Sequence, residues 1–217
     1  PETRNYQSKK KATFDLTFEA QVSKAIRYLG FTKQGWFSGK YTTTKKPVGL
    51  ISYLQVSVER LSVLRDYFRI MEGPYRGQRV SLAREHDVSY LESENPHREP
   101  VHLHYSLSQK TIILENKRYA VRSYPDDPDP WKKGTRYTIE IADYPHDLGR
   151  SYLDRADLAL VWFKVNHPDG TRYLHVGAVS LGCLTLTEIE RWDELRKVLL
   201  RARRGDGRNV GVVEVVD

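Results

Sequence analysis

Hydrophobic and polar residues alternate through the middle of the chain. Val101, Leu103, Tyr105 and Leu107 occupy every second position, which is the spacing that places side chains on one face of a β-strand. The segment TIILENKRYAVRSY follows, and it predicts a hairpin that turns near Asn116. Four more strands are predicted in TRYTIEIA, LALVWFKV, TRYLHVG and the C-terminal NVGVVEVVD, with a turn at HPDG (167–170).

The first half has a weaker β pattern. Leu54, Val56 and Val58 alternate, and YFRIMEGPYRGQRVSLA predicts two strands joined by a Gly-Pro turn. Residues 33–49 are rich in Gly, Thr and Lys, which indicates a loop or a hairpin.

Two segments have helical spacing instead. Phe18, Val22, Ile26 and Leu29 predict a helix that stops at Gly30. The second helix is predicted after the cysteine, with Thr187 and Glu190 as a capping box. Its apolar stripe comprises Ile189, Trp192, Leu195, Val198 and Leu199.

These elements predict a mostly β fold of the α+β class, an antiparallel sandwich with a helix packed after the cysteine loop. The polar segment 92–100 contains two prolines and is the predicted boundary. Residues 1–98 form a smaller helix-plus-β region in this interpretation, either a binding module or a structural extension that covers one edge of the catalytic sheet. Residues 99–217 form the domain that carries the chemistry.

Composition narrows the classes of function. The chain has 217 residues, a net charge of +7 and one cysteine, so an internal disulfide and a Cys-rich zinc site are excluded. No apolar run is long enough to span a bilayer, and no signal peptide is visible. Because the chain starts at Pro1, we expect that an upstream segment was removed. The positive charge favours polyanionic partners, although the basic segment 191–208 is interpreted as a solvated helix face.

Cys183 stands eight residues after His175. The residues between them include Gly177, Ser180 and Gly182, so a strand is followed by a short, close-packed loop and then the predicted helix. A thiol and an imidazole within one such unit suit nucleophilic acyl transfer. A buried, inert thiol is the alternative, because cysteine is among the most buried residue types.

Other histidines and tryptophans favour structural roles. His102 and His104 share a strand face and would need a third ligand to bind a metal, so a solvated strand is the favoured interpretation and no metal or cofactor is expected. Trp131 either lines a substrate groove or anchors its Pro-rich loop, and Trp162 is predicted in the core. Surface positions are predicted for four histidines: His86, His97, His146 and His167.

The segment LHVGAVSLGCLTL resembles the active-site segment of L,D-transpeptidases, the YkuD-type cysteine enzymes of bacterial peptidoglycan. The resemblance is looser over the remainder of residues 100–217. It implies that Cys183 is the nucleophile and His175 the base, with Ser180 bracing the loop. The amides of Gly182 and Cys183 would hold the oxyanion, and a backbone carbonyl near Val176 or Gly177 would orient the histidine.

The resemblance also implies a substrate and a location. The substrate would be a peptidoglycan stem peptide, contacted by Thr185, Gly177 and Trp131, and the location would be periplasmic or extracellular. Leu181 replaces the family's histidine before Gly-Cys, and Thr185 stands where the family has Arg or Asn. These changes spare the nucleophile and base, so both transpeptidase and carboxypeptidase activity stay open. The alternative is a basic module that binds nucleic acid or a wall polymer.

Overall fold

The computed structural model describes residues 24–124 and 127–217. In this part of the chain the protein is mostly β, with two sheets and a short helix near the C-terminus, which confirms the predicted fold class. No helix in the described ranges has the length and apolar composition needed to cross a membrane.

The first sheet has seven strands, in the spatial order β3-β2-β6-β5-β4-β1-β7, and all neighbours are antiparallel. Residues 33–49 contribute a hairpin, and the two strands expected around the Gly-Pro turn form as β5 and β6. The strands are Ile26–Leu29 (β1), Trp36–Tyr41 (β2), Pro47–Ile51 (β3), Gln55–Leu61 (β4), Arg65–Ile70 (β5), Arg79–Ala83 (β6) and Leu91–Glu92 (β7).

The second sheet has eight strands, in the order β11-β15-β8-β9-β10-β14-β13-β12. Two pairs are parallel, β8 with β15 and β13 with β14, and the others are antiparallel. The strands are Val101–Ser106 (β8), Thr111–Leu114 (β9), Lys117–Arg122 (β10), Arg136–Glu140 (β11), Phe163–Lys164 (β12), Tyr173–Val176 (β13), Leu184–Leu186 (β14) and Asn209–Val216 (β15).

The prediction of an N-terminal helix is wrong for the residues of that segment that the structure describes. Ile26–Leu29 is strand β1, which lies between β4 and β7. Phe18 and Val22, the earlier positions of that pattern, lie outside the described residues. Pairing on both edges satisfies the backbone of this four-residue segment, so the tertiary partners decide its conformation.

The strand predicted in LALVWFKV is also shorter than expected. Only Phe163 and Lys164 form β12. Before them, the Asp193 carboxylate accepts the N–H groups of Asp157 and Leu158 at 3.1 and 3.2 Å. Trp192 donates its indole N–H to the carbonyl of Leu158 at 3.1 Å. Side chains therefore satisfy this buried backbone, and no strand partner is needed there.

The helix after the cysteine is confirmed. It runs from Trp192 to Arg201 (α1) and follows a 3-10 turn at Ile189–Arg191. The predicted capping box is wrong, because neither the 3-10 turn nor the helix has a side-chain hydrogen bond at its N-terminus. Thr187 instead donates its hydroxyl to the carbonyl of Ala120 at 3.3 Å. Most of the apolar stripe is buried, whereas Val198 is 44% exposed.

One apolar core contains residues from both sheets and from α1. A buried ion pair also joins the two halves: Arg203 donates from Nε and Nη2 to the two oxygens of Glu72, both at 2.9 Å. Arg196 on α1 is fully buried, and burial lowers its pKa to about 9. The expectation of a solvated basic face over 191–208 is therefore wrong for Arg196 and Arg203.

The division into domains 1–98 and 99–217 stays a prediction. The strands of the first sheet end with β7, and those of the second sheet begin with β8.

Candidate functional site

The candidate site lies where β13 and β14 run side by side. His175 is paired with Thr185 in the parallel register of these strands, and directly paired residues point to the same face of a sheet. Cys183 immediately precedes β14, and its Sγ accepts the N–H of Tyr173, the first residue of β13, at 3.4 Å. The register therefore sets Cys183 opposite Tyr173, two positions before His175 on β13, so the thiol and the imidazole lie on adjacent segments of the chain.

The Cys183 thiol is half-buried. Burial raises its pKa above the ordinary value, while the Tyr173 N–H and the positive charge of Arg172 act in the opposite direction. Since burial wins, the resting side chain at neutral pH is a thiol and not a thiolate.

His175 is held by two neutral partners. Its Nδ1 lies 2.9 Å from the carbonyl oxygen of Val176, so Nδ1 carries the proton and Nε2 is the acceptor. Thr185 donates its hydroxyl to Nε2 at 3.1 Å. The ring is 7% exposed, and burial lowers its pKa to about 4. A neutral imidazole is the form that a general base requires, and here its Nε2 lone pair is occupied by the Thr185 hydroxyl.

The carbonyl proposed to orient the histidine is therefore that of Val176. The hydrogen bonds of the described residues include none between His175 and the Cys183 sulfur, because Nε2 is engaged with Thr185 in this state. In the resting state the thiol and the imidazole are both neutral, and the Thr185 hydroxyl occupies His175 Nε2.

Ser180 braces the cysteine loop. Its hydroxyl donates to the carbonyl of Cys183 at 2.7 Å and accepts the Gly182 N–H at 3.3 Å. These bonds match the bracing role expected for Ser180. They also engage the Gly182 amide, which the family resemblance assigned to the oxyanion, so that amide is not free in the resting state.

The Arg172 side chain also holds the cysteine loop in its conformation. It pairs with the carboxylates of Asp127 and Asp169 and donates to the carbonyl of Leu181 at 3.3 Å. Gly182 has a φ of 103°, and a Cβ there would lie 1.0 Å from Arg172 Nη1. Only glycine fits at this position, because both the backbone angle and the space exclude a side chain.

The three residues predicted to contact substrate are all buried. Thr185 is fully buried against His175, and Gly177 packs so closely that a Cβ would lie 3.2 Å from the Thr185 methyl group. Trp131 is 5% exposed and donates its indole N–H to the carbonyl of Gly182 at 3.0 Å. The interpretation of these residues as a groove lining needs correction: they hold the loop and the histidine in place. The large exposed side chains of the loop are instead Val179 and Leu181.

Sequence reasoning missed a column of stacked rings behind His175. Trp162 lies between His175 and His146, with ring centroids 4.0 and 4.5 Å apart and planes inclined by 17° and 6°. Tyr144 continues the column on the other side of His146, at 4.2 Å. His146 is 7% exposed, so its predicted surface position is wrong, and the same correction applies to the buried His167.

Asp143 connects this column to the cysteine. It accepts hydrogen bonds from His146 Nε2 at 2.9 Å and from the Tyr173 hydroxyl at 3.0 Å. These donors keep the pKa of Asp143 below its ordinary value even though burial acts to raise it. Tyr173 also supplies the backbone N–H that meets Cys183. Up to 40 positions separate these residues along the chain, and no periodic pattern reports such contacts.

A second feature is a basic cavity of about 520 Å³ beside α1, which does not include Cys183 in its lining. Phe31 and Tyr53 stack at 5.9 Å, and the Arg201 guanidinium lies 4.8 Å above the Tyr53 ring. The lining comprises Phe31, Tyr53, Arg98, Lys197, Val198 and Arg201. Its three cations take part in none of the ion pairs of the described residues.

A cluster with the donor atoms of a metal site, His102, His104 and Glu214, lies on β8 and β15, which β9 and β10 separate from the cysteine loop.

Comparisons of the chain with models of known protein families, with curated proteins and with solved structures find no match.

Proposed function

We propose that this protein is a cysteine-dependent acyl transferase or hydrolase of the L,D-transpeptidase type that acts on peptidoglycan stem peptides. The observation that carries the proposal is a half-buried Cys183 opposite Tyr173, two positions along β13 from a neutral His175 whose Nδ1 is fixed by a backbone carbonyl. The resemblance of LHVGAVSLGCLTL to that family's active-site segment supplies the substrate class. A periplasmic or extracellular location follows from the substrate.

The proposed reaction starts from the neutral pair. The Cys183 sulfur attacks the carbonyl carbon at an L-to-D peptide junction while its proton passes to His175 Nε2. The C–N bond to the D-residue then breaks, and the imidazolium gives that proton to the leaving amine. A thioester of Cys183 remains.

The thioester is resolved by a second nucleophile. Water releases a shortened stem peptide, and an amine from another stem forms a cross-link, with His175 accepting the nucleophile's proton and returning it to the sulfur in both cases. The loop over the cysteine is only as long as residues 177–182. Such a short cover leaves water free to compete with an acceptor amine, so we include hydrolysis and cross-linking in the proposal.

Thr185 has a defined place in this scheme. Its hydroxyl occupies His175 Nε2 at 3.1 Å in the resting state. The bond must open before Nε2 takes the thiol proton, and substrate entry would supply the polar groups that replace it. Thr185 is therefore a positioning residue for the base.

The test uses the full chain with defined tetrapeptide and pentapeptide muropeptides. Intact-mass spectrometry should detect the protein plus a stem peptide lacking its terminal D-residue, and chromatography should detect the shortened or dimeric product. Cys183→Ala should give no adduct, and His175→Gln should slow acylation by about two to four orders of magnitude. His86→Asn, at an exposed histidine in the first sheet region, is the matched control and should react as the parent does. Folded parent protein that forms no adduct and cleaves no stem peptide would refute the proposal.

The basic cavity favours a second candidate, a binding site for single-stranded nucleic acid. Stacked aromatic rings next to unpaired cations are the combination that binds bases and phosphates together. Arg201→Gln and Lys197→Gln should weaken binding of a fluorescent oligodeoxythymidine, whereas Lys33→Gln, at an exposed lysine paired with Asp157, should not. An equal loss of affinity in all three variants would mean non-specific charge attraction. If the protein binds an anionic wall polymer but not the oligonucleotide, the cavity is a binding site for that polymer.

A further inference from the structure

Two histidines and a glutamate converge on the outer face of the second sheet. His102 and His104 are two positions apart on β8, so both point to one face. β8 pairs in parallel with β15, and the register sets Glu214 directly beside His104. One ligand atom from each of the three side chains lies within 4.8 Å of the others.

The donors are already oriented towards one another. His102 Nε2 lies 2.9 Å from Glu214 Oε2, and the two imidazole rings stack with centroids 4.6 Å apart. The side chain of His102 is 44% exposed and that of Glu214 is 22% exposed. An ion from solvent can therefore reach the cluster, and small side-chain rotations would close the donor set around it.

We propose that His102, His104 and Glu214 form a binding site for a divalent transition-metal ion of the Zn²⁺ class. Imidazole nitrogens with one carboxylate suit Zn²⁺, Co²⁺ and Ni²⁺, whereas Mg²⁺ and Ca²⁺ require mainly oxygen ligands. The sequence favoured a solvated strand because it showed no third ligand. The parallel pairing of β8 with β15 brings in that ligand from 110 positions further along the chain.

Arg136 on β11 tunes the site. Its Nε donates at 2.9 Å to the same Glu214 oxygen that His102 contacts. The same guanidinium repels a dication and competes for one carboxylate oxygen. Arg136 is therefore expected to limit affinity, and its removal should strengthen metal binding.

A bound ion would link β8 to the C-terminal strand β15. Because the unfolded chain does not hold the three donors together, binding to the folded state stabilises it by mass action. This role is independent of Cys183, so the inference does not rest on the proposed enzyme activity.

The experiment uses full-length protein without a polyhistidine tag, stripped with a chelator. Titration with ZnCl₂ in a calorimeter and with CoCl₂ by visible absorption should give one equivalent per chain, and Zn²⁺ should raise the thermal unfolding midpoint. His104→Ala and Glu214→Gln should each weaken binding by at least about tenfold, judging by the losses seen when metal-site residues are changed. Arg136→Gln should strengthen it.

Two controls separate this site from other donors. His86→Asn removes an exposed histidine elsewhere, and Cys183→Ser removes the thiol; both should bind as the parent does. The proposal is overturned if the parent binds no metal, if His104→Ala binds as tightly as the parent, or if Cys183→Ser loses the site. Circular dichroism of each variant shows that it is folded, and the metal-induced rise in the midpoint should vanish only in the variants at the three ligands.

Discussion

Two histidines pack on opposite faces of Trp162, and their surroundings differ in one respect. Both are 7% exposed and both stack on the indole. His175 meets only neutral partners, the Val176 carbonyl and the Thr185 hydroxyl, whereas His146 meets the carboxylate of Asp143. With equal burial, the two histidines differ in their partners: His175 is held neutral between a carbonyl and a hydroxyl, whereas His146 donates a hydrogen bond to a carboxylate.

The largest effect is expected from removing the ring that both histidines share. Trp162→Ala should lower the free energy of unfolding by about 3–5 kcal/mol, since a buried aromatic is replaced by a cavity. The opened space should also hydrate His175 and raise its pKa from about 4 towards the ordinary 6.5. Urea unfolding and an NMR titration of the His175 ring measure the two effects. Trp162→Phe retains an aromatic ring that covers His175, so a His175 pKa as high in this variant as in Trp162→Ala would contradict the role given to burial by this ring.

The second prediction concerns acid stability. His175 binds its proton near pH 6.5 when unfolded but only near pH 4 when folded. The unfolded chain holds more protons between these values, so the free energy of unfolding should fall as the pH decreases through this window. The loss due to His175 reaches about 3 kcal/mol, at about 1.4 kcal/mol for each pKa unit. Urea unfolding at several pH values measures it, and His175→Gln should flatten this part of the profile. Parallel profiles for parent and variant would show that His175 is not the group responsible.

The third prediction removes the carboxylate that contacts His146. Asp143→Asn leaves His146 and the Tyr173 hydroxyl without their ionised acceptor, which should cost about 1–3 kcal/mol in unfolding free energy. The pKa of Tyr173, which burial and Asp143 both raise, should fall. Asp147→Asn is the matched control, because that carboxylate is exposed and pairs only with Arg150. Equal losses of unfolding free energy in the two variants would mean that the Asp143 hydrogen bonds contribute no more to stability than an exposed ion pair does.

The smallest effect is expected at Thr185. Thr185→Val has nearly the same shape but cannot donate to His175 Nε2, and losing one such bond should cost about 1 kcal/mol. Nε2 then becomes available to Cys183, so alkylation of the thiol by iodoacetamide at neutral pH should become faster. Thr185→Ser retains the hydroxyl and should react at the parental rate. Slower alkylation in Thr185→Val would contradict the view that Thr185 occupies the base.

Periodicity predicts the elements best where one face is buried and the other is wet. The alternation at Val101, Leu103 and Tyr105 corresponds to strand β8, whose buried and exposed residues alternate in the same way. The helix after the cysteine forms because its apolar stripe packs on the core, with Trp192 and Leu195 fully buried. Where long-range pairing satisfies the backbone, as in β1, periodicity misleads.

The contacts of the candidate site also divide into local ones, which the sequence can predict, and long-range ones, which it cannot. The placement of Cys183 and His175 on adjacent segments and the brace from Ser180 are local, because one strand–loop–strand unit of the chain holds all three residues. The column through Trp162 and His146 and the clamp by Arg172 on Asp127 join segments far apart in the chain. A single sequence carries no record of such contacts, and only their geometry shows that His146 is buried.

The sequence by itself determined that this protein is mostly β and that a helix follows the cysteine, and it placed one thiol and one histidine within a single short segment. These features depend on the period of side chains along a strand or helix and on short loops, which are properties of neighbouring residues. Tertiary structure alone decided that β8 lies parallel to β15, that Glu214 meets His102, and that Thr185 rather than Cys183 contacts His175 Nε2. Parallel pairing needs a long connection, and the partner of a strand is chosen by the burial of the whole sheet, which no local pattern encodes.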